Sequence, residues 1–155
     1  MGTMATVQQV TNFLLNLRDN DMESGKYYSL SNLKMQKLLY FCHGIFSAAT
    51  QGNALIIDEN FEAWRYGPVI PSAYFRFNMY GQNDIPKTET GNFNGLQTNE
   101  INVIQNVWNN LKHRSAFELV EASHVEDGPW YEVYHGNNGN VIAHDQILNY
   151  FGGQR

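Results

Sequence analysis

Residues 31–50 read SNLKMQKLLYFCHGIFSAAT, and they decide the fold class because they predict a long helix over residues 32–50 that is buried on most sides. Apolar residues recur along one stripe at helical spacing, and further apolar residues cover much of the remaining circumference. The stripe comprises Met35, Leu38, Leu39, Cys42, Phe46 and Ala49. Ser29 or Ser31 can cap the first free amides, and Gly52 can end the helix in a left-handed conformation. Such a helix is expected at the centre of the molecule.

Shorter helices are predicted on both sides of the central one, from apolar residues at helical spacing and from capping or turn residues at their starts. The first covers residues 6–17 and ends at a polar loop over 19–26. Three more begin near Pro71, Thr98 and Ser115, the last with a complete S-x-x-E capping box, and a final helix ends at Phe151. The chain is therefore predicted to be mainly α, with about five to six helices around the long central helix.

A small β component is predicted where helical spacing is lost. Two short apolar pieces, at residues 55–57 and 61–64, flank the turn-forming residues 58–60. We therefore predict a β-hairpin with its turn at Asp58, Glu59 and Asn60. Residues 82–95 show no period and are predicted to be a loop, and residues 136–140, GNNGN, are predicted to be a turn.

Length and composition predict one domain and exclude several classes of protein. The 155 residues suit a single domain over 1–155, with residues 1–3 interpreted as a cloning remnant. Ten Lys and Arg against fifteen Asp and Glu give a formal net charge of -5, which argues against a nucleic-acid partner. Cys42 has no second cysteine with which to form a disulfide, and no apolar run is long enough for a membrane span. We expect a cytoplasmic protein with no membrane partner.

No sequence motif of a known catalytic mechanism is present, so neither a catalytic residue nor a cofactor is predicted. Cys42 and His43 are neighbours on a helix and point about 100° apart, which does not suit a catalytic pair. The atom types of a divalent-metal site do occur together, at Glu121, His124, Glu126, Asp127, Glu132 and His135. Only Glu132 and His135 have the spacing of helix-bundle ligands, and such sites use that pair twice. We predict that the protein is not an enzyme and holds no metal, with a small metal-dependent hydrolase as an alternative.

Three stretches carry a resemblance to a known family: SNLKMQKLLYFCHG at 31–44, FEAWRYGPVIPSAY at 61–74 and ELVEASHVEDGPW at 118–130. In this order and spacing they resemble the Panacea antitoxin domain family of SocA-like and GepA-like phage-associated proteins from bacteria and prophages. The closing VIAHDQILNYF is also similar, so the resemblance covers almost the whole chain. Ala143 and the loop at 82–95 depart from the family pattern.

The resemblance implies an antitoxin of a bacterial or prophage toxin-antitoxin system, which neutralises a toxin encoded nearby by binding it directly. It also implies a mostly helical domain without enzymatic activity. One branch of the family delivers its toxin to a Clp-type protease, so a proteolytic adaptor is an alternative. The identity of the toxin does not follow from the resemblance.

Residues of the matching motifs are expected to be structural. They are Leu33, Gln36, Lys37, Leu38, Tyr40, Trp64, Tyr66, Gly67, Pro68, His124, Pro129 and Trp130. Trp130 is expected to pack the chain onto the core, with an exposed partner contact as the alternative. His124 is expected to end a helix and to donate to its last free carbonyls.

Three residues near the predicted hairpin and third helix are expected to contact the partner: Arg65, Tyr66 and Arg76. Tyr and Arg are enriched at interface hot spots, which is the reason for choosing them. Arg65 can also stack on an aromatic face and so stabilise the hairpin without any ligand.

Overall fold

The central helix is the one predicted from residues 31–50. In this computed structural model, which describes residues 5–153, it is α2 and spans Asn32–Ala49. The hydroxyl of Ser31 caps it by accepting a hydrogen bond from the amide of Lys34. The apolar stripe is fully buried except for Ala49 at its end. The interpretation of residues 1–3 as a cloning remnant lies outside the described residues.

Seven α-helices and a small antiparallel sheet make up the described part of the chain. The other helices are α1 (Val7–Glu23), α3 (Pro71–Phe77), α4 (Thr98–Leu111), α5 (Ala116–Ser123), α6 (Pro129–Val133) and α7 (His144–Gly152). The strands are β1 (Phe61–Trp64), β2 (Gly67–Val69) and β3 (Asn140–Ile142), in the order β2-β1-β3. Helix α2 packs against α1, α3, α4, α5 and α7. The prediction of a mainly α fold around a long central helix, with minor β structure, is confirmed.

Helix α1 continues to Glu23, so the prediction that it ends at Leu17 before a polar loop is wrong. Two polar residues of that segment, Asp19 and Asp21, make tertiary contacts. Asp21 accepts hydrogen bonds from Trp108 Nε1 at 2.9 Å and from Lys112 Nζ at 3.2 Å. Both partners lie far from Asp21 along the chain. Their hydrogen bonds stabilise the last turn of a helix where the polar sequence predicted a loop.

The β-hairpin lies further along the chain than predicted, between β1 and β2, with its turn at Arg65 and Tyr66. Gly67 makes this turn possible because its φ of +110° lies in the left-handed region that favours glycine. Residues 55–57 form no hairpin strand; Ile56 makes only an isolated parallel bridge to Ala5. Asp58, predicted as a turn residue, instead accepts a hydrogen bond from the amide of Val7 at the start of α1.

Residues 82–95, called the strap below, are mainly irregular, as predicted, with one 3-10 turn at Lys87–Glu89. The strap is fastened along α1 by side-chain hydrogen bonds. Asn12 Nδ2 donates to the carbonyl of Asn92 at 2.9 Å, and Thr90 Oγ1 donates to Asp19 Oδ2 at 2.6 Å. It therefore closes one side of the core over α1.

The capping prediction is confirmed at the start of α5 and is wrong by one residue at the start of α4. At α5 the predicted capping box is present, because Ser115 Oγ accepts from the amide of Glu118 and Glu118 accepts from the amide of Ser115. At α4 the cap is Gln97, whose amide donates to Glu100 at 2.7 Å, and Thr98 is the first helical residue rather than the cap.

None of the helices in the described part is long and apolar enough to span a bilayer.

Candidate functional site

Polar side chains on the first turns of α2 form hydrogen bonds with backbone groups of α3 and of the residues just before it. Gln36 Oε1 accepts from the amide of Ile70 at 3.0 Å, and its Nε2 donates to Asn32 Oδ1 at the same distance. Asn32 in turn donates to the carbonyl of Tyr74 at 3.0 Å. Because these groups are buried and paired, they fix the position of the segment between β2 and α3 relative to the central helix.

Lys37, the next motif residue, is fully buried and donates from Nζ to the carbonyl of Pro68 at 2.6 Å. Burial lowers the pKa of Lys37 well below its usual value of 10.5. Gly67 lies directly over this amine: a Cβ added there would be 2.9 Å from Nζ and 2.7 Å from Ser123 Oγ. Gly67 therefore has a backbone angle that favours glycine, and a side chain there would require Ser123 or Lys37 to shift.

His124 and Trp130 close the other side of the hairpin. Their rings stack at a centroid distance of 3.6 Å and an angle of 7°. Trp130 is buried, and its Nε1 donates to the carbonyl of Trp64 at 2.6 Å. His124 follows α5, and its Nε2 is buried without a hydrogen-bond partner among residues 5–153, so this nitrogen does not donate to the last carbonyls of the helix. Burial, with a smaller contribution from the charge of Lys37, lowers the pKa of His124.

These contacts support a groove of about 490 Å³ between α2, α3 and α5, called the aromatic groove below. Its lining comprises Ser31, Asn32, Leu33, Tyr66, Tyr74, Asn78, Gly81, Gln82, Ala116 and Phe117. No lining residue carries a charged side chain. Two of the aromatic side chains are largely accessible, with Tyr66 48% and Phe117 65% exposed. The groove is an apolar, solvent-facing surface with polar groups along part of its wall.

An aromatic cluster continues from the groove along α3. The ring of Tyr74 lies 4.9 Å from that of Trp64 and 5.6 Å from that of Phe75, measured between centroids. Phe75 and Met79 are both exposed. Exposed apolar side chains beside a groove are consistent with a protein-binding site.

The three residues predicted to contact a partner are not all in one place. Tyr66 lines the aromatic groove, and the guanidinium of Arg65 lies over its ring at 5.4 Å from the centroid. Arg76 instead lines a different depression, beside Val7, and donates to Asn12 Oδ1 at 2.9 Å and to the carbonyl of Glu89 at 2.7 Å. The structure thus groups Arg65 with Tyr66 and places Arg76 between α1, α3 and the strap.

Phe117 is the most exposed aromatic residue of the groove, and it was not among the residues predicted from the sequence to contact a partner. It lies two positions before Leu119, which is buried, and is therefore about 200° away around α5. An apolar aromatic side chain on the polar face of a short amphipathic helix was the available signal.

The His, Cys, Asp and Glu side chains in the described part of the chain form no metal-binding cluster. Among residues 5–153, no three His, Cys, Asp or Glu side chains lie close enough together to hold a metal ion. Cys42 is fully buried on the core face of α2, and burial raises the pKa of its thiol.

Comparison with known proteins relates the chain to antitoxins. The family model described as "Antitoxin SocA-like, Panacea domain" matches residues 35–131, a range that contains both Tyr66 and Phe117. Antitoxin SocA of Caulobacter vibrioides is 34% identical over 122 residues, which cover 72% of this chain. The match spans 64% of the length of that relative. No solved structure matches the chain.

Proposed function

Because the chain belongs to the SocA-like antitoxin family with a Panacea domain, we propose that it is an antitoxin that neutralises a cognate toxin by direct binding. The family match over residues 35–131 is the observation that carries this proposal. The toxin would be a protein encoded nearby, and the encounter would take place in the cytoplasm. The proposed activity is binding, so it requires no catalytic residue.

The aromatic groove is the surface that we propose for the toxin. Tyr66 and Phe117 are accessible in the described chain, and their burial against a partner would remove apolar area from water at about 25 cal/mol per Å². The uncharged lining favours an apolar or aromatic segment of the toxin over a charged one, since burying an unpaired charge there is costly. Arg65 lies over the ring of Tyr66 and adds a cation at the side of the groove.

The groove is supported by a rigid base, which favours tight binding. The buried hydrogen bonds of Asn32, Gln36 and Lys37 hold the backbone on which Tyr66 and Tyr74 are mounted. A surface that is already ordered loses less conformational entropy on association.

Co-expression with the neighbouring gene product tests the proposal. We expect the chain to restore growth to cells producing that protein and to copurify with it. Tyr66→Ala and Phe117→Ala are expected to weaken rescue and copurification at unchanged thermal stability. Tyr131→Ala is the matched control, because Tyr131 is 53% exposed and lies outside the groove. If rescue survives both groove substitutions, the groove is not the binding surface, and if no neighbouring product is toxic, the antitoxin proposal fails.

Delivery of the toxin to a Clp-type protease stays a prediction from the family resemblance. Measuring the half-life of the toxin in cells with and without the protease distinguishes delivery to the protease from simple occlusion. An adaptor shortens that half-life only when protease and antitoxin are both present, whereas an occluding antitoxin leaves a stable complex.

A further inference from the structure

The aromatic groove lies over the first turns of two helices, α2 and α5. The first two amides of each helix have no acceptor within the helix. In both helices the hydroxyl of the capping serine accepts from the third amide, at 3.3 Å from Lys34 and at 3.1 Å from Glu118. Four groove residues therefore carry a backbone donor that neither a helical carbonyl nor the cap engages: Asn32, Leu33, Ala116 and Phe117.

Acceptors in the same wall are already engaged. The carbonyl of Tyr74 accepts from Asn32 Nδ2 at 3.0 Å, and that of Asn78 accepts from the amide of Gly81 at 3.1 Å. The Oδ1 atom of Asn32 accepts from Gln36 Nε2 at 3.0 Å. A partner that covers the groove therefore meets donors that need acceptors, and a buried polar group that stays unpaired weakens the complex.

The charge distribution of the groove also favours acceptors. The N-terminus of a helix carries a partial positive charge, and two such ends meet at this groove. Arg65 adds a full positive charge beside them, over the ring of Tyr66. Backbone carbonyls carry partial negative charge on oxygen, so they complement this surface without the cost of burying an ion.

An extended segment supplies such carbonyls along its whole length, whereas a helix uses all but its last four internally. The four donors lie at the starts of two different helices, so acceptors are needed at more than one place along the groove. Proline suits this wall further, because it has a carbonyl and no N–H. In the polyproline II conformation it makes no internal hydrogen bonds and is ordered before it binds.

The aromatic side chains of the groove supply a matching surface for proline rings. Tyr66 and Phe117 are exposed, and the ring of Tyr74 is backed by that of Trp64. Aromatic-lined grooves are a recurring binding site for proline-rich segments. Resting on the function proposed above, we infer that the part of the toxin that enters the aromatic groove is a proline-rich segment in the polyproline II conformation.

Octaproline, acetylated and amidated at its ends, is the probe, and a peptide of four Ala-Pro repeats with the same ends is its control. The control regains an N–H at every alanine and is less ordered. We therefore expect octaproline to bind the full chain saturably, and more tightly than the control by about threefold or more.

NMR spectra of the backbone amides locate the site. The amide signals of the four donor residues should shift downfield on titration with octaproline, because these amides gain acceptors. The amides of Thr98 and Asn99 are the matched control, since they hold the same positions at the start of α4 and lie outside the groove. Their signals should not shift.

Substitution in the groove provides a second test. Phe117→Ala removes an aromatic face and keeps the amide, so it should weaken octaproline binding severalfold. Tyr66→Ala should act in the same direction, and Tyr131→Ala, outside the groove, should leave binding unchanged. If a groove variant does not fold, the amide shifts of the unsubstituted chain decide.

Three results would overturn the inference. Equal binding of the two peptides would remove the role of proline, and amide shifts confined to other residues would place the site elsewhere. A lack of saturable octaproline binding would show that the groove does not take a polyproline II segment. If octaproline does not bind but the groove substitutions weaken rescue, only this inference fails. If octaproline binds and no neighbouring product is toxic, the antitoxin proposal fails while the groove keeps this class of ligand.

Discussion

His43 and His144 are joined ring to ring, with His43 Nε2 lying 2.9 Å from His144 Nδ1, and this contact ties α7 to the central helix. The proton positions follow from the outer partners. His43 Nδ1 accepts from the amide of Ile56 at 3.3 Å, so His43 Nε2 carries the hydrogen and donates to His144. His144 then carries its hydrogen on Nε2, which donates to the carbonyl of Gly52 at 2.9 Å. His43 is therefore neutral in this arrangement, and a proton on its Nδ1 would break the hydrogen bond with Ile56.

Stability is expected to fall in mild acid because of His43. Burial, and then the neighbouring His144, lowers the pKa of His43 from 6.5 to about 3. Between these values the unfolded chain binds the proton and the folded chain does not, so this stabilisation is present above pH 6.5 and lost as pH falls. From pH 7.5 to 5.5 the loss is about 1 kcal/mol. Urea melts of the wild type and His43→Gln should show a smaller pH dependence in the variant, whereas the exposed His113→Gln should follow the wild type.

Arg76→Ala is expected to destabilise the fold rather than to remove a partner contact selectively. Its guanidinium donates to Thr11, to Asn12 and to the carbonyl of Glu89, so its loss releases the strap from α1 and α3. We expect a decrease of about 2 kcal/mol in the free energy of unfolding, measured by urea melts. Arg65→Ala, whose side chain is exposed over Tyr66, should change stability by less than about 0.5 kcal/mol. Equal stability of the two variants would contradict this role for Arg76.

Gly67→Ala is expected to cost more stability than Gly136→Ala. Both glycines have positive φ angles, +110° and +89°, so both substitutions carry backbone strain of about 1 kcal/mol. Only at Gly67 would the new Cβ also meet Lys37 and Ser123, whereas nothing lies within 4 Å of the Cβ position at Gly136. The difference between the two urea midpoints therefore measures the steric part, and no difference would show that the hairpin can move away from α2.

Ser115→Ala is expected to lower stability by about 1 kcal/mol, because it removes the acceptor for the amide of Glu118 at the start of α5. The neutralisation proposed above should be retained, because Ser115 does not line the aromatic groove. Ser24→Ala is a suitable control, since Ser24 ends α1 through its backbone amide and is exposed. Urea melts give both values, and an unchanged midpoint for Ser115→Ala would show that the cap contributes nothing.

Leu39→Asp is expected to abolish folding. Leu39 is 0% exposed on the core face of α2, where an unpaired carboxylate cannot be solvated. Ile45→Asp, on the same helix at a side chain that is 40% exposed, should remain folded. Circular dichroism and thermal melts distinguish the two, and a cooperative melt of Leu39→Asp would contradict the assignment of this face to the core.

Local patterns in the sequence determined the central helix, the capping box and the family motifs. The apolar residues from Met35 to Phe46 recur at positions that share one face of a helix. The hydrogen bonds between Ser115 and Glu118 form within a single helical turn. Each of these features depends on residues within a few positions of one another, so periodicity and capping chemistry suffice to predict them.

The tertiary structure alone decided where α1 ends, which residues meet in the aromatic groove, and that Arg76 is a structural link. It also decided the pairing of His43 with His144, which are 101 positions apart in the chain. The continuation of α1 past Leu17 is accompanied by a hydrogen bond between Asp21 and Trp108, and the groove depends on Phe117 of α5 and Tyr66 of the hairpin lining the same depression. Such contacts follow from how the helices pack against one another. The spacing of residues along the chain does not predict which distant side chain will pair with a buried polar group.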